Sequence, residues 1–595
     1  MKKKLSFRNR DFIIYPMRCI PLQSMFSFIY TILNALMPAY ETIAIANFID
    51  CAIAIFEGKR NITEIILPIV LIVLYILFIN LIPTIAEIIS LTGKNKMTIR
   101  IKDLMLNKKT ALEYQYVENP EAQELINRVC SDPVGNFSSG FNNILSAVSI
   151  IISSISLLLI IMSTTFISGI VITAASIPLF VIAIKTGKKN YEMGKDATEI
   201  QRKYKYLAAV LTDRDYANER KLFSYSKSLQ NDYVTLYNQS FKIESKIERK
   251  TYTNMKAGSM ITLLVIAVII FILLPSLYVD SITIGVFIAL VNAVFGLVQT
   301  MSWRLSETMC EHARLQEYLK DLNCFFALSE KKEACVAPSC SEDFTFESVE
   351  FRNVSFKYPG TETYVLNQCS FRLNSGKSYS LVGINGAGKS TIVKLLIGLY
   401  DNYDGEILLN GINIKNYNYA ILKSIISVLF QDFTSYAISL KDNITMGRNM
   451  IYNERDINKI ISQVELDDLV QELRNGIETS LGKIKEDGVD ISGGQWQRVA
   501  IARVLYSEAK INILDEPTAS LDPIAESQVY EMFHRINNNC FTIYITHRLG
   551  AAKISDEILV VDEGRIVEFG SHEQLMKIHN GLYRKMFECQ KSWYE

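Results

Sequence analysis

Long apolar runs separated by polar ones fill the first half of the chain, and shorter strand-like runs follow after residue 330. A membrane-spanning helix needs about 20 mostly apolar residues. The pattern predicts six such helices, at 21–45, 65–89, 144–163, 167–184, 260–279 and 282–301. We therefore expect residues 1–328 to form a polytopic α-helical membrane domain with six transmembrane helices.

Two polar segments interrupt the apolar pattern, at 90–143 and 185–258. Each also fits an ordinary solvated helix. Their placement between helices two and three, and four and five, favours membrane helices that continue beyond the bilayer and reverse there. We expect these two long cytoplasmic loops, around Pro120 and Leu222, to have a mechanical role.

The second half of the chain has a different pattern. Residues 329–343 are polar without an apolar period and predict a linker. Short apolar runs then alternate with Gly-rich turns and amphipathic helices. This alternation predicts an α/β domain over residues 344–595.

Charge sets the expected orientation of the membrane helices. Basic residues cluster before the first helix and after the second and fourth, whereas the opposite side carries only Lys59 and Arg60. The positive-inside rule therefore places both termini in the cytoplasm. With 62 basic and 62 acidic residues, the chain has no net charge that would favour nucleic acid.

A phosphate-binding loop follows the short apolar run 378–382. Its sequence, GINGAGKS, opens a helix, which is the strand–loop–helix setting of a P-loop. Backbone N–H groups of such a loop surround phosphate oxygens, and the helix N-terminus favours negative charge. We expect contacts to ATP from Gly383, Asn385, Gly386, Gly388, Lys389, Ser390 and Thr391. Lys389 would reach the β- and γ-phosphates, and Ser390 would hold Mg²⁺.

An acidic pair, Asp515 and Glu516, ends the predicted strand 511–514. Such a position fits the ligand crevice at the carboxyl ends of a parallel sheet. Asp515 would orient Mg²⁺, and Glu516 would act as the general base on the attacking water. In isolation, the pair also fits a solvent-facing strand end.

A second predicted anion site is the ISGGQ sequence, which opens another helix. Ser492, Gly493, Gly494 and Gln495 fit a plain helix N-cap as well. Together with the single lysine loop, however, they indicate a dimer in which each surface completes the site of the other subunit.

These motifs, in this order, resemble the ABC transporter family, and the first half resembles its exporter type. The resemblance implies roles for further residues. Tyr358 would stack on adenine, Gln431 would meet Mg²⁺ and sense the membrane domain, and His547 would lie near the γ-phosphate. Ser492, Gly493 and Gln495 would contact ATP on the partner, and Asp522 would lie at the dimer interface.

Two departures from the family pattern are visible. Ile491 stands where leucine is usual, and Glu486-Asp487-Gly488 stands where a Gly-Glu pair is usual. Neither affects the predicted ATP site. Because Glu516 is present, a homodimer is sufficient for hydrolysis, although a different partner subunit is compatible with the sequence.

A narrower resemblance is to the lantibiotic exporters of the nisin type. It rests on SVLFQDF, SGGQWQRVAIAR and LDEPTASLDPIAE, and on Trp496, for which we expect packing on its own helix. It implies export of a ribosomally made, modified peptide across the bacterial cytoplasmic membrane. Because the first membrane helix begins near residue 20, we expect a separate protease to remove any leader.

The cargo is open to other interpretations. A lipid or a hydrophobic drug is the main alternative, and an importer on the same fold is a lesser one. A soluble ABC ATPase acting on DNA or ribosomes conflicts with the apolar segments. Glu41 and Glu87 would attract a cationic peptide if they face a cavity, but they also fit positions at the bilayer rim.

Overall fold

The computed structural model describes residues 6–164, 170, 200–213, 216–278, 282–338, 344–446, 454–483, 488–517, 527–531, 533 and 541–591. The chain separates into two compact units. One comprises Met1–Leu106 and Leu125–Ala327, and the other comprises Asn107–Glu124 and Leu328–Glu595.

Helices make up the described part of the chain before residue 328. They include α1 (Asp11–Cys19), α2 (Pro21–Phe56), α3 (Ile66–Ala111), α4 (Gln115–Glu118), α5 (Pro120–Cys130), α6 (Pro133–Thr164), α7 (Ala217–Leu222), α8 (Ser226–Tyr278), α9 (Ile284–Gln299) and α10 (Leu305–Ala327). A 3-10 turn, Ile62–Ile65, precedes α3, and a π-helical turn, Thr300–Arg304, joins α9 to α10.

The apolar helices correspond to the predicted membrane spans. Three are long and apolar enough to cross a membrane among the residues that the structure describes: Pro21–Phe56, Ile62–Ala111 and Pro133–Ser163. The predicted fifth span falls in α8 and the sixth in the shorter apolar α9. The predicted fourth span, 167–184, lies outside the described residues except for Ile170, so the count of six stays a prediction.

Helix α3 runs to Ala111 and α6 begins at Pro133, with α4 and α5 between them. The helices therefore overrun the apolar stretches, as we expected for the first long polar segment. In the second segment, α8 starts at Ser226, far before its apolar part. Polar residues continue a helix readily because its backbone hydrogen bonds do not depend on side-chain polarity.

A polar clasp fixes the start of α9 against α2. The Asp50 carboxylate accepts a hydrogen bond from the Gly285 N–H at 2.8 Å and another from the Thr283 hydroxyl at 2.5 Å. A Cβ on Gly285 would lie 2.4 Å from the Ala46 carbonyl oxygen. Glycine therefore allows the two helices to approach closely, and Asp50 satisfies a backbone donor that the helix start leaves without an intrahelical partner.

The second unit contains two sheets. The strands are β1 (Ser348–Phe356), β2 (Leu366–Asn374), β3 (Ser378–Gly383), β4 (Asp404–Leu409), β5 (Ile412–Asn413), β6 (Ile426–Leu429), β7 (Ile511–Asp515), β8 (Phe541–Ile545), β9 (Glu557–Asp562) and β10 (Arg565–Gly570). An antiparallel sheet has the order β2-β1-β4-β5, and a larger sheet has the order β10-β9-β3-β8-β7-β6. In the larger sheet, β9, β3, β8, β7 and β6 run parallel.

The second unit also contains helices. They are α11 (Lys389–Leu396), α12 (Tyr419–Ile425), α13 (Leu440–Thr445), α14 (Glu454–Gln463), α15 (Asp467–Glu472), α16 (Gly493–Ser507), α17 (Leu549–Ala552), α18 (His572–Lys577) and α19 (Leu582–Lys591). Strands β3, β7 and β8 are buried along their whole length. A strand buried on both faces is typical of a parallel sheet with helices on each side.

A second apolar core lies beside the sheet. Helices α13, α14 and α16 supply it, and the Trp496 side chain is 9% exposed within it. The predicted packing role of Trp496 is confirmed. This core fixes α16, and therefore the position of the ISGGQ sequence at its start.

The segment Asn107–Glu124 belongs to the second unit and is attached by charged contacts. The Glu118 carboxylate accepts hydrogen bonds from Lys394 Nζ at 2.6 Å and from the Tyr400 hydroxyl. Burial acts to raise the pKa of Glu118, but these two donors outweigh it and hold the pKa below its ordinary value. Lys108 Nζ donates to the Leu328 carbonyl at 2.6 Å, which ties the segment to the residue just before the predicted linker.

The linker itself is held to α12. Lys423 Nζ donates to the carbonyl oxygens of Ala334 at 2.9 Å and Val336 at 2.5 Å. Residues 339–343 of the predicted linker lie outside the described residues.

Asn443 is a fully buried polar residue beside the second core, and its side chain makes several hydrogen bonds. Its Nδ2 donates to the Tyr436 carbonyl at 3.0 Å and the Ser439 carbonyl at 3.1 Å. Its Oδ1 accepts from the Arg503 guanidinium at 3.2 Å, which connects α13 to α16. Because the Asn443 side chain is fully buried, its removal takes hydrogen bonds from each of the groups that it contacts.

We predict that Asn443→Ala destabilises this domain by about 2 kcal/mol or more, because buried polar groups lose their partner. The apparent unfolding temperature of the purified protein should fall by about 5 °C. Asn458→Ala, at an exposed position of α14, is the matched control and should change it by about 1 °C or less. Equal unfolding temperatures for the two variants would contradict this account of the core.

Candidate nucleotide site

The predicted phosphate loop lies between β3 and α11 in the structure. Gly388 has φ +105° and Gly386 has φ +81°, a backbone region that disfavours other residues. A Cβ on Gly388 would lie 2.8 Å from Leu366 Cδ2 and 3.1 Å from the Val365 carbonyl oxygen. The glycine spacing thus allows the loop to turn tightly against β2, with the helix N-terminus facing its hollow.

Lys389 lies inside this loop. Its Nζ donates to the carbonyl oxygens of Gly383 at 2.9 Å and Ile384 at 3.0 Å, and the residue is 6% exposed. Burial lowers the pKa of Lys389, against the opposing charges of Glu516 and Asp515. Negative phosphate oxygens in the hollow would offset the burial of this ammonium group better than neutral carbonyls do.

Four residues of the predicted site lie at the carboxyl ends of three neighbouring parallel strands. Gln431 follows β6, Asp515 ends β7 with Glu516 next, and His547 follows β8. Because parallel strands end at the same edge, these side chains converge beside the loop after β3. Sequence order separates them by up to 116 residues, but sheet order makes them neighbours.

Glu516 is the centre of this edge. Its carboxylate accepts from Gln431 Nε2 at 3.0 Å and contacts His547 Nε2 at 2.8 Å. Its backbone has φ +48°, which costs a non-glycine residue about 1 kcal/mol or more. Strain of this kind is common where a protein holds a side chain in one orientation for function.

Burial and the positive charge of Lys389 lower the pKa of His547, against the opposing pull of Glu516. The imidazole is therefore neutral near pH 7, and its contact with Glu516 requires the proton on Nε2. In that tautomer, His547 donates to the carboxylate and leaves Nδ1 as an acceptor.

Asp515 is buried beside this pair. Burial and the negative charge of Glu516 raise its pKa to about 6, while Lys389 and a hydrogen bond from Ser390 oppose the rise. A cation bound here would stabilise the ionised carboxylate. Hydroxyl, amide and carboxylate oxygens are the ligands that Mg²⁺ prefers, so Ser390, Gln431 and Asp515 fit such an ion.

Tyr358 is half-buried near the loop. Its hydroxyl lies 3.0 Å from the Thr391 hydroxyl, and its ring packs edge-on against Tyr400 at 5.7 Å between centroids. Lys394 Nζ lies 5.3 Å from the ring centroid. The tyrosine predicted to stack on adenine is thus positioned by the helix that follows the phosphate loop.

Ser492 is the N-cap of α16. Its hydroxyl accepts from the Gln495 N–H at 3.2 Å, and its own N–H donates to the Gln495 side-chain oxygen at 2.8 Å. This reciprocal capping box agrees with the N-cap interpretation of SGGQ. Ser492 and Gly493 are exposed in this chain, so the helix start is accessible from outside.

Asp522, Glu486 and Asp487 lie outside the described residues. Asn385 lies in the described loop and is exposed.

The sequence did not predict two side chains that contact the backbone next to Glu516 and His547. Gln497, buried on α16, donates to the Pro517 carbonyl just after Glu516. Gln590, on α19, contacts the backbone around His547. A signal for Gln497 was present, since a glutamine among the buried positions of α16 needs a partner.

Comparison with known proteins agrees with this geometry. The family profile described as ABC transporter matches residues 366–519. The subtilin transport ATP-binding protein of Bacillus subtilis is 31% identical over 578 residues, covering 94% of this chain and 90% of its own length. The chain belongs to the ABC transporter family. This ABC transporter is therefore a membrane protein with an ATP hydrolase that is coupled to transport.

Two other relatives align with smaller shares of this transporter. The nisin transport ATP-binding protein of Lactococcus lactis subsp. lactis is 28% identical, covering 81% of this transporter and 80% of its own length. The ATP-dependent lipid A-core flippase of Blochmanniella floridana is 39% identical, but over 41% of each chain.

A solved structure described as a bacterial Atm1-family ABC exporter with ATP bound matches with a TM-score of 0.75 and 22% identity. It covers 95% of this transporter and 98% of that chain. This likeness shows the ABC exporter fold, a helical transmembrane part with an α/β ATPase, as we predicted.

We predict that Gly388→Ala lowers the ATP affinity of the transporter by about tenfold or more, because the added methyl displaces the loop from β2. Gly376→Ala is the matched control: its φ is +78°, and nothing lies within 4 Å of its Cβ. Both variants carry the backbone strain, about 1–2 kcal/mol, but only the first adds a clash. Fluorescent-nucleotide titration checks this, and equal affinities would contradict it.

Proposed function

We propose that this transporter exports a ribosomally made, modified peptide across the bacterial cytoplasmic membrane. The observation that carries this proposal is similarity over nearly the whole chain to the subtilin transport protein, with 94% of the chain aligned. Similarity to the nisin transport protein supports the same class of cargo. Alignment to the lipid A-core flippase reaches 41% of the chain, so it supports the lipid alternative less well.

We infer that ATP binds at the loop after β3. Lys389 and the loop N–H groups would contact the phosphates, and Tyr358 would release Thr391 or Tyr400 to meet adenine. Ser390, Gln431 and Asp515 would hold Mg²⁺, which supplies positive charge to the phosphates.

We infer that Glu516 is the general base. Its two contacts, at 3.0 Å to Gln431 and 2.8 Å to His547, orient the carboxylate. A water between this carboxylate and the γ-phosphate would lose its proton to Glu516 as it attacks. His547 would then donate from Nε2 to phosphate oxygens once the γ-phosphate is present.

The proposed assembly is a homodimer of half-transporters. The start of α16 is exposed, and its N-terminal N–H groups form a site for phosphate oxygens. In a dimer, Ser492, Gly493, Gly494 and Gln495 of one copy would close over ATP on the other. Asp522 would lie at the same interface, and its role stays a prediction.

Transport would follow by alternating access. ATP favours the closed pair of ATPase domains, and hydrolysis resets it, because the two states differ in ATP affinity. The domain boundaries at 328 and 344 and the cytoplasmic location of both termini are part of this proposal. They rest on the linker composition and on the positions of basic residues.

Glu41 is partnered in the structure: the Tyr75 hydroxyl donates to it at 2.7 Å. Glu87 is exposed on α3. Contact of either carboxylate with substrate stays a hypothesis.

The decisive test is ATP hydrolysis by purified protein in lipid vesicles, with lanthionine-containing peptides added one at a time. We expect a peptide to stimulate hydrolysis, and Glu516→Gln to reduce the stimulated rate by about a hundredfold or more because the general base is lost. Stimulation by lipids or drugs alone would replace the proposal with the lipid or drug exporter.

We expect the attached segment Asn107–Glu124 to transmit the effect of peptide to the ATPase. Glu118→Ala removes the carboxylate that holds Lys394 and Tyr400, so peptide stimulation should fall while basal hydrolysis stays within about twofold. Glu121→Ala, at an exposed position nearby, is the control and should retain stimulation. If both variants respond to peptide like the unaltered protein, this segment does not transmit the signal.

A further inference from the structure

The C-terminal helix α19 is anchored at its start. The Glu568 carboxylate, on β10, accepts from the N–H groups of Leu582 at 2.5 Å and Tyr583 at 3.1 Å. These are backbone donors that a helix start leaves unsatisfied, and a carboxylate there also suits the helix dipole. The position of α19 is therefore fixed relative to the larger sheet.

One face of α19 packs on the helix that follows His547. Tyr583 is fully buried in a core with Leu549 and Ala552, and Met586 and Phe587 pack against the same core. The Tyr583 hydroxyl lies 2.8 Å from His572 Nδ1, which partners its polar end. Helical spacing brings residue 590 onto this face, one turn after Met586 and Phe587.

Gln590 is the polar residue at that next position. Its side-chain oxygen accepts from the Leu549 N–H at 2.9 Å, and its Nε2 donates to the His547 carbonyl. One amide side chain thus contacts two backbone groups that are two residues apart, as a neighbouring strand would. The turn is also held by the Arg548 N–H donating to Thr546 Oγ1 at 3.0 Å.

These contacts bear on the side chain of His547. Its Nε2 lies 2.8 Å from Glu516 Oε1, and the residue is exposed, so packing alone does not hold the imidazole there. Gln590 holds both the His547 carbonyl and the Leu549 N–H. These two hydrogen bonds restrict the backbone φ and ψ angles that set the direction of the imidazole. A displacement of α19 would then move the imidazole away from the carboxylate.

We propose that Gln590 is a positioning residue for ATP hydrolysis, acting through His547. The C-terminal helix thereby becomes a structural support of the hydrolytic site. This inference rests on the role of His547 in the proposed function.

The test uses the full-length protein in lipid vesicles and measures kcat and KM for ATP. Gln590→Leu keeps the size of the side chain but removes both hydrogen bonds, so kcat should fall about fivefold while KM stays within about twofold. Gln590→Glu keeps the acceptor for the Leu549 N–H and loses the donor to the His547 carbonyl. Its kcat should therefore lie between that of the unaltered protein and that of Gln590→Leu. Glu588→Gln, at an exposed position of the same helix, is the control and should match the unaltered protein.

A double variant separates positioning from general destabilisation. If Gln590 acts through His547, Gln590→Leu should lower kcat no further in a His547→Ala background. The unfolding temperatures of the single variants should agree within about 1 °C. A multiplied loss in the double variant, or unchanged kcat in Gln590→Leu, would overturn the inference. Unchanged kcat in His547→Ala would instead overturn the proposed role of His547.

Discussion

The arrangement of this transporter's ATPase depends on one constraint: parallel strands end at the same edge of a sheet. Strands β6, β7 and β8 end beside β3, so Gln431, Glu516 and His547 meet at the phosphate loop despite their distance in sequence. Glu516 is held there in a left-handed backbone conformation and by two side-chain contacts. If the strand order were changed, none of these contacts would survive.

The second unit shows how surrounding elements support that edge. Helix α16 is fixed by a core in which Asn443 and Trp496 are buried, and Gln497 contacts the backbone after Glu516. Helix α19 reaches the turn of His547 through Gln590. Segment Asn107–Glu124 is attached near Tyr358 by the contact of Glu118 with Lys394, which also lies over the Tyr358 ring. The nucleotide site is therefore connected to elements well outside its own motifs.

The local parts of this site were predictable from sequence. The loop GINGAGKS needs glycine conformations that few other sequences permit, and Asp515-Glu516 follows a strand that is apolar throughout. The apolar periodicity also indicated most membrane helices, although α2 and α3 run well beyond their predicted spans. Contacts between distant segments were not predictable in the same way. Gln590 and His547 are 43 residues apart, and nothing in either local sequence specifies the other.

We propose that ATP hydrolysis at this edge drives a modified peptide across the membrane. The most direct measurement is uptake of a labelled lanthionine-containing peptide into inside-out vesicles that contain the purified transporter. We expect peptide accumulation that requires ATP and is absent in vesicles made with Glu516→Gln. ATP-dependent movement of lipid or dye by the same vesicles, with no uptake of any such peptide, would contradict it.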